Sequence, residues 1–349
     1  MAETTKIEWT DSTFNPWRGC TKVSEGCAHC YAERGSKRNP AVLGAWGPNG
    51  TRILAAERNW LEPLAWDRLA AKKGKPNRIF CASLADVFED WQGQVNDHLE
   101  NALWWHPTDA RQEPRICDTG DGALLPHPEF RPYTLDEARA RLWRLIEATP
   151  HLTWQLVTKR PENARRMAPP AWREKWPANV WLLASVESQA HIGRIIELAN
   201  VPAKVRGVSA EPLLGPLILT REELAYCLAC GTVSDSMYAC RHCGDVRTRE
   251  RTYLDYLDWV IVGGESGHEA RPMHPDWARS LRDQCQAAKV AFFFGQWGEF
   301  GPEQIGNVRH TPVASGVPMD EPVSMFRVGK KAAGRLLEGR EWSEYPAAR

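Results

Sequence analysis

The sequence predicts an α/β fold in which parallel strands curl into a barrel or partial barrel. Three observations carry this. Six short runs rich in apolar residues recur along the chain: "RIFCASLADVFED" (78–90), "WQLVTKRPEN" (154–163), "VWLLASVESQ" (180–189), "KVRGVSAEPL" (204–213), "DWVIVGGESG" (258–267) and "VAFFFGQWGE" (290–299). They are continuously apolar where a half-exposed strand would alternate, as strands buried on both faces are. Each ends in a polar turn, and helical patterns fill the intervals, so the chain repeats βα units that cross over right-handed into one parallel sheet. Six or seven such strands favour a barrel or partial barrel over a flat dinucleotide-binding sheet.

Taken in chain order, the N-terminal "MAETTKIEWTDSTFNPW" lacks the charged-then-apolar pattern of a signal peptide. "LEPLAWDRLAAKKG" reads as a helix closed by Gly74 at its C-terminal end. Residues 101–133, rich in Pro, Gly and charge, read as a loop-rich insertion. "TLDEARARLWRLIEA" opens with a capping box, Thr134 and Glu137, and sets Leu135, Ala138, Leu142, Leu145 and Ile146 on one face. Residues 224–252 interrupt the alternation with a cysteine-rich insertion. "HPDWARSLRDQCQAAK" starts a helix at Pro275. The expected organisation is a barrel over 1–300, carrying both insertions, and a C-terminal cap over 301–349.

The chain of 349 residues is 43% hydrophobic and 25% charged, which is a folded composition. Lys plus Arg and Asp plus Glu are 44 each, a balance that argues against a protein coating nucleic acid by charge alone. No apolar run reaches the roughly 18–20 residues of a membrane span, and a cytoplasmic location without membrane association is expected. Ten cysteines in a chain this long are not a secreted disulfide framework. Cys81, Cys117 and Cys285 stand alone and read as small buried hydrophobes. The 17 tryptophans are scattered and read mostly as packing, Trp297 among them. His268 and His274 have no ligand-like spacing.

The other seven cysteines form two groups. "CLACGTVSDSMYACRHCG" places Cys227, Cys230, Cys240 and Cys243 in two C-x-x-C-G knuckles, with Gly231 and Gly244 permitting the tight turns. Structural zinc is the favoured occupant, with iron the alternative. Arg241, His242, Arg247, Arg249 and Arg251 make this ribbon locally basic, a feature suited to a macromolecular substrate. "GCTKVSEGCAHCYAE" holds only three: Cys20, Cys27 and Cys30. A structural zinc site needs a fourth ligand, and His29 beside Cys30 is too close to serve. Three thiolates instead suit a [4Fe–4S] cluster whose fourth iron takes an exchangeable ligand. Tyr31 follows directly, where an aromatic ring shields such a cluster.

These residues resemble the radical SAM superfamily, and more specifically an uncharacterised phage-associated branch with the C-x6-C-x2-C motif. The branch shares a strand ending in S-x-x-D, here Ser83 to Asp86, then "TKRPEN", "VSAEPLLGP", "VIVGGESG", "FFFGQWG" and "GRLLEGREWSEYP", in the same order outside the two insertions. The resemblance implies a radical SAM-type partial (β/α)6 barrel with a zinc-ribbon insertion and the cluster at the strand C-terminal ends. It implies that the cluster reductively cleaves S-adenosylmethionine (SAM) to a 5′-deoxyadenosyl radical, which abstracts hydrogen from substrate. An electron donor such as flavodoxin or ferredoxin follows from that chemistry. Two features depart from the wider superfamily. Its first cysteine gap is three residues rather than six, and its "GGE" follows the second strand, whereas here Gly263, Gly264 and Glu265 come several strands later. Ser83 and Asp86 hold the usual strand position for the SAM amino contact.

In a parallel barrel, polar residues at strand C-terminal ends face the active site. Asp86, Lys159, Glu187, Glu211 and Glu265 fall at such positions, and Lys159 with Arg160 suits the SAM carboxylate or a substrate phosphate. Asp86, Lys159, Glu187 and Glu211 are therefore the candidate catalytic set, with Tyr31, Ser83, Gly263, Gly264 and Glu265 as candidate cofactor contacts. The basic ribbon and abundant aromatics point to a nucleic acid or a nucleotide base as substrate. The rival readings are a non-enzymatic nucleic-acid-binding protein with zinc in both cysteine groups, and an electron-transfer iron–sulfur protein with no SAM pocket.

Overall fold

The computed structural model describes residues 4–106, 108, 113–116, 129–236, 238–305, 308–316 and 321–347. Cys117 lies outside them, as does much of the insertion expected over 101–133.

The main sheet has seven strands: β1 (Ser12–Thr13), β2 (Asn77–Cys81), β3 (Leu152–Thr158), β4 (Val180–Ser185), β5 (Val205–Ala210), β6 (Trp259–Gly263) and β7 (Ala291–Gln296). Their spatial order is their chain order, and every pairing is parallel. All six apolar runs are strands. The additional one, β1, is two residues long and gives too short a periodic signal to be read. Helices α1 (Tyr31–Arg38), α2 (Glu57–Lys73), α3 (Leu135–Glu147), α4 (Pro161–Met167), α5 (Arg194–Ala199) and α6 (Pro275–Ala288) occupy the crossovers. Gly74 closes α2 in the left-handed conformation, at φ 62°. Thr134 and Glu137 form the capping box of α3, and His274 caps α6 by accepting from the Asp276 amide at 3.1 Å.

The sheet is curled. Four strand spacings separate β2 from β6, about 19 Å if the sheet were flat. Yet the Trp9 ring sits 4.8 Å from Phe80 on β2 and 6.2 Å from Trp259 on β6. One indole touches both only if the strands wrap around it. Inward residues from β2, β3, β4, β6 and β7 (Phe80, Val157, Leu183, Ile261 and Phe293 among them) meet in this inner cluster, while the outward residues join the larger core under the helices. The half-barrel is therefore packed on both faces, which is why its strands read as unbroken apolar runs.

The chain's last segment fills the gap between the sheet edges. Residues 342–344 run beside β7: the Phe294 amide donates to the Trp342 carbonyl at 3.0 Å, and the Glu344 amide to the Phe292 carbonyl at 3.1 Å. Tyr345 then lies 5.5 Å from Phe293, with the Arg78 guanidinium of β2 stacked 4.0 Å over its ring. Among the described residues four small sheets flank the barrel: Trp17–Arg18 with Ile53–Leu54; Leu103–Trp105 with Arg115–Ile116 and Arg131–Pro132; Leu224–Cys227 with Val233–Ser234 and Thr248–Arg251; and Phe300–Gly301 with His310–Val313 and Val323–Arg327. Among the described residues no helix is long and apolar enough to cross a membrane. Cys81 and Cys285 are fully buried, and Trp297 is core, as their isolation in the sequence implies.

Candidate active site and metal centre

Period-two alternation along each strand sorts inward residues into layers. The floor is apolar, with Phe80, Val157, Leu183, Trp259 and Phe293. Above it lie small polar residues, Ser185 and Ser209, and beyond the strand ends come the ionisable ones. There a cavity of about 580 Å³ opens, lined from every strand of the sheet: Thr13 of β1, Ser83 and Asp86 after β2, Lys159 and Arg160 after β3, Ser185 of β4, Glu211 after β5, Gly264 and Glu265 after β6, and Gln296 of β7. Cys20, Cys27, Cys30 and Tyr31 line the same cavity from the β1–α1 loop. Of the candidate acids, Glu187 does not line it, and Gly263 lies behind the wall.

The cysteine loop is pinned by buried charge. Arg160 donates to Asp86 at 2.9 Å and to the Thr21 carbonyl at 2.7 Å, and its Nη1 lies 3.7 Å from Cys20 Sγ. Burial opposes that guanidinium's charge, but Asp86, Cys20 and Glu89 hold its pKa above the usual value. Asp86 also accepts from Thr158 Oγ1 at 2.7 Å and from the amides of Phe88 and Lys159. Arg52, wholly buried, forks onto Glu89 at 2.7 and 2.8 Å and donates to Thr21 Oγ1 at 2.9 Å, while Glu89 accepts the Thr21 amide at 2.8 Å. Burial, then Glu89 and Asp86, push the Cys20 thiol up to about 12, so a metal arriving there displaces a proton.

Glu187 does similar work from β4. It is fully buried and pairs with Lys159 at 3.1 Å and Arg194 at 2.8 Å, and it accepts from Ser24 Oγ at 3.0 Å. Burial opposes its charge, but the two cations hold its carboxyl below the usual range. Gly26 is glycine because a Cβ there would meet Glu187 Oε1 at 2.3 Å. Glu265 takes a two-pronged grip from Arg271, at 2.7 and 2.8 Å, and Arg271 reaches on to the Glu25 carbonyl at 3.0 Å. Tyr31 is exposed, and its hydroxyl donates to the Ser83 carbonyl at 2.6 Å. Asn15 clamps the same turn through Ser83 Oγ and the Leu84 amide.

Glu211 differs from these. Among the described residues its carboxylate accepts one hydrogen bond, from Trp9 Nε1 to Oε2 at 3.0 Å, and has no ion-pair partner. Oε1 occupies the space that a Cβ on Gly263 or Gly295 would need, at 2.2 and 2.8 Å. Burial, with Glu8 nearby, pushes this carboxyl up to about 7 against the lowering effects of Trp9 and Lys330. The "GGE" glycines are thereby explained: Gly263 makes room for Glu211, and Gly264 lets the Trp297 carbonyl approach, since a Cβ there would stand 1.9 Å from it.

Sequence reasoning found the acids at the strand ends but missed their partners. Arg52, Trp9 and Lys330 carry no motif, and Glu89 and Gln296 lie in quoted runs without being singled out. Lys330 reaches the cavity from the short helix Lys330–Ala333, with Nζ 3.9 Å from Glu8.

The second cysteine group is gathered so that it could hold a metal ion. The sulfurs of Cys227, Cys230, Cys240 and Cys243 all lie within 4.8 Å of one another, with 3.6 Å between Cys227 and Cys243 and between Cys230 and Cys240. Four thiolates about 2.3 Å from one zinc stand about 3.8 Å apart, so the spacing suits a single tetrahedral ion. Gly231 and Gly244 take positive φ, 74° and 76°, and their amides close each knuckle onto the Cys227 and Cys240 carbonyls at 3.0 and 2.8 Å. Cys20, Cys27 and Cys30 form no such set among the described residues. One ion needs its sulfurs within about 4.6 Å; thiols spread further around a common cavity suit a polynuclear group.

The family model described as "Protein of unknown function (DUF5131)" matches residues 4–114 and 127–346. The chain belongs to that family. The match breaks between residues 114 and 127, and most of that interval lies outside the described residues. No curated protein matches this chain. Among solved structures, a cysteine-to-serine mutant of spore photoproduct lyase aligns at 11% identity and a TM-score of 0.39, over 95% of this chain and 72% of that one. Spore photoproduct lyase complexed with dinucleoside spore photoproduct aligns at 10% and 0.37, over 95% and 74%. At those values neither alignment bears on what this chain does.

Proposed function

We propose that this protein is a cytoplasmic radical SAM enzyme that holds a [4Fe–4S] cluster on Cys20, Cys27 and Cys30 and acts on a nucleic acid or nucleotide base. The observation that carries the reading is the meeting of three thiols, on the loop after the first strand, with the polar C-terminal ends of a seven-stranded parallel half-barrel around one cavity. When bound, the cluster supplies the electron that cleaves the sulfonium of SAM and so generates the hydrogen-abstracting radical.

The chain's own residues prepare the place. Arg160 and Arg52, anchored on Asp86 and Glu89, fix the backbone at Thr21, while Glu187 and Arg271 fix it at residues 24–26. The three thiols are thus held on a braced loop. Lys159 faces the cavity with its charge maintained by Glu187, as the carboxylate of a bound amino acid or a phosphate requires. An electron donor such as flavodoxin or ferredoxin completes the reaction. Zinc in the four-cysteine ribbon stabilises that small sheet.

The test is anaerobic reconstitution followed by iron, sulfide and zinc analysis, then dithionite and SAM with assay for 5′-deoxyadenosine. About four irons bound by the three-cysteine loop and 5′-deoxyadenosine, both lost in Cys27→Ala, is the expected result. Zinc in both cysteine groups without iron or SAM cleavage would replace this reading with that of a zinc-containing binding protein.

A further inference from the structure

We propose that Glu211 is the recognition group of a substrate subsite, reading a planar nitrogen base through two adjacent N–H donors, as the N1–H and N2–H edge of guanine presents them. The inference deepens, and rests on, the reading of a nucleobase-derived substrate.

Every other acid at the strand ends is committed to the protein: Asp86 to Arg160, Glu187 to Lys159 and Arg194, Glu265 to Arg271. Glu211 alone among them lines the cavity with one donor and no cation. The carboxylate is partly exposed at the cavity, and among the described residues only Oε2 has a protein donor, so Oε1 is open to a ligand. The fold also makes specific room for it. Two neighbouring strands place glycine, Gly263 and Gly295, where any side chain would strike Oε1. Trp9 fixes the other oxygen, so the carboxylate plane is set before a ligand arrives.

The surroundings choose the ligand. Trp9 and Phe80, 4.8 Å apart, form an apolar wall beside the carboxylate, and Val157 extends it. A flat ring against that wall turns its edge toward Glu211, and two parallel N–H groups match two carboxylate oxygens. The ammonium of SAM is a poorer fit. Cys20, Cys27 and Cys30 would hold the cluster that SAM would join, whereas the hydrogen bond and close approaches of Glu211 involve Trp9, Gly263 and Gly295, and no residue of 19–30. The raised pKa agrees with this assignment. Facing Glu8, Lys330 and Tyr31, the carboxyl is only partly ionised near neutrality, and a pair of N–H donors binds the ionised form.

The experiment is equilibrium dialysis of guanosine, inosine and 1-methylguanosine against the full-length protein, which needs neither iron nor turnover. Guanosine is expected to bind about tenfold or more tightly than inosine, which lacks N2–H, with 1-methylguanosine weaker still. Its affinity should rise between pH 6 and 8. Glu211→Gln should cost guanosine about tenfold and inosine much less. Equal binding of the three nucleosides, or none, overturns the proposal, and this series decides even if the variant does not fold. A Glu211→Gln variant that loses SAM while keeping guanosine affinity also overturns it, by assigning the carboxylate to the cofactor. Absence of iron in the reconstitution would sink the radical SAM reading and leave the nucleoside result standing.

Discussion

Arg160 ties the sheet to the cysteine loop with one planar group. Its two terminal nitrogens reach Asp86, Thr21 and the edge of Cys20 at once, geometry that a lysine's point charge does not reproduce. Removing it strands Asp86 beside Glu89, the loss of one partner of a buried pair, at about 3–5 kcal/mol. Arg160→Gln is therefore expected to lower both the melting temperature and the iron retained on reconstitution. Full iron with wild-type melting would mean that the loop holds itself. Glu211 makes a different prediction, in pH. Its folded pKa near 7 lies above the ordinary 4.5, so folding favours the protonated form. The sign is then fixed: the wild type loses stability as pH rises from about 4.5 to about 7, and the loss then levels off, at no more than about 3 kcal/mol. Glu211→Gln removes that dependence. Denaturant titrations should show the variant gaining on the wild type between pH 5 and pH 8, and a constant difference would refute the shift. Asp86, Lys159, Glu211 and Glu265 were legible because strand-end polar residues must face the barrel mouth. Their division into braces and one unpaired acid was not, because Arg52, Arg194 and Arg271 lie in loops or on helices where no period marks them.

At the scale of elements, legibility followed length and burial. β2 to β7 are long enough to show a continuous apolar run, whereas β1 is two residues and was invisible. Helices α2, α3 and α6 announced themselves through Gly74, the Thr134–Glu137 box and Pro275. The four-cysteine group was legible for a separate reason, since two C-x-x-C-G knuckles encode their geometry in six positions. Its place in the molecule was not legible. Leu224 and Val233 join the main core, and Asn200 hydrogen-bonds both the amide and the carbonyl of Val233 at 2.9 Å. With the four sulfurs holding a metal as proposed, its removal should loosen this small sheet without opening the barrel. Titration with an organomercurial is expected to release one metal per chain from this site and to admit protease within residues 224–252, while near-ultraviolet dichroism of the barrel tryptophans persists. Cleavage throughout the barrel would show that the ribbon supports the whole fold.

Over the whole molecule, the open half-barrel needs an occupant for its gap, and the chain's final segment supplies one. Strand pairing alone ends at β1 and β7, leaving Trp259 and Phe293 of the inner cluster without cover on one side. Trp342 packs 6.0 Å from Phe292, Tyr345 packs 5.3 Å from Trp259, and Trp259 Nε1 donates to the Glu344 carbonyl at 2.9 Å. Arg78 of β2 stacks on Tyr345, so one residue touches strands from both ends of the sheet. That closure explains why "GREWSEYP" stands so far from the cysteines in sequence yet belongs with them in the fold: it fixes the curl that aims the strand ends at a common cavity. Both rings are half-buried, so truncating either is expected to cost about 2 kcal/mol. The double variant Trp342→Ala, Tyr345→Ala should lose more than the sum if closure is cooperative. It should also lose iron from the distant cysteine loop, because a relaxed curl spreads Cys20, Cys27 and Cys30 apart. Additive destabilisation with full iron retention would make the segment a plain hydrophobic cover and separate the geometry of the site from the curl of the sheet.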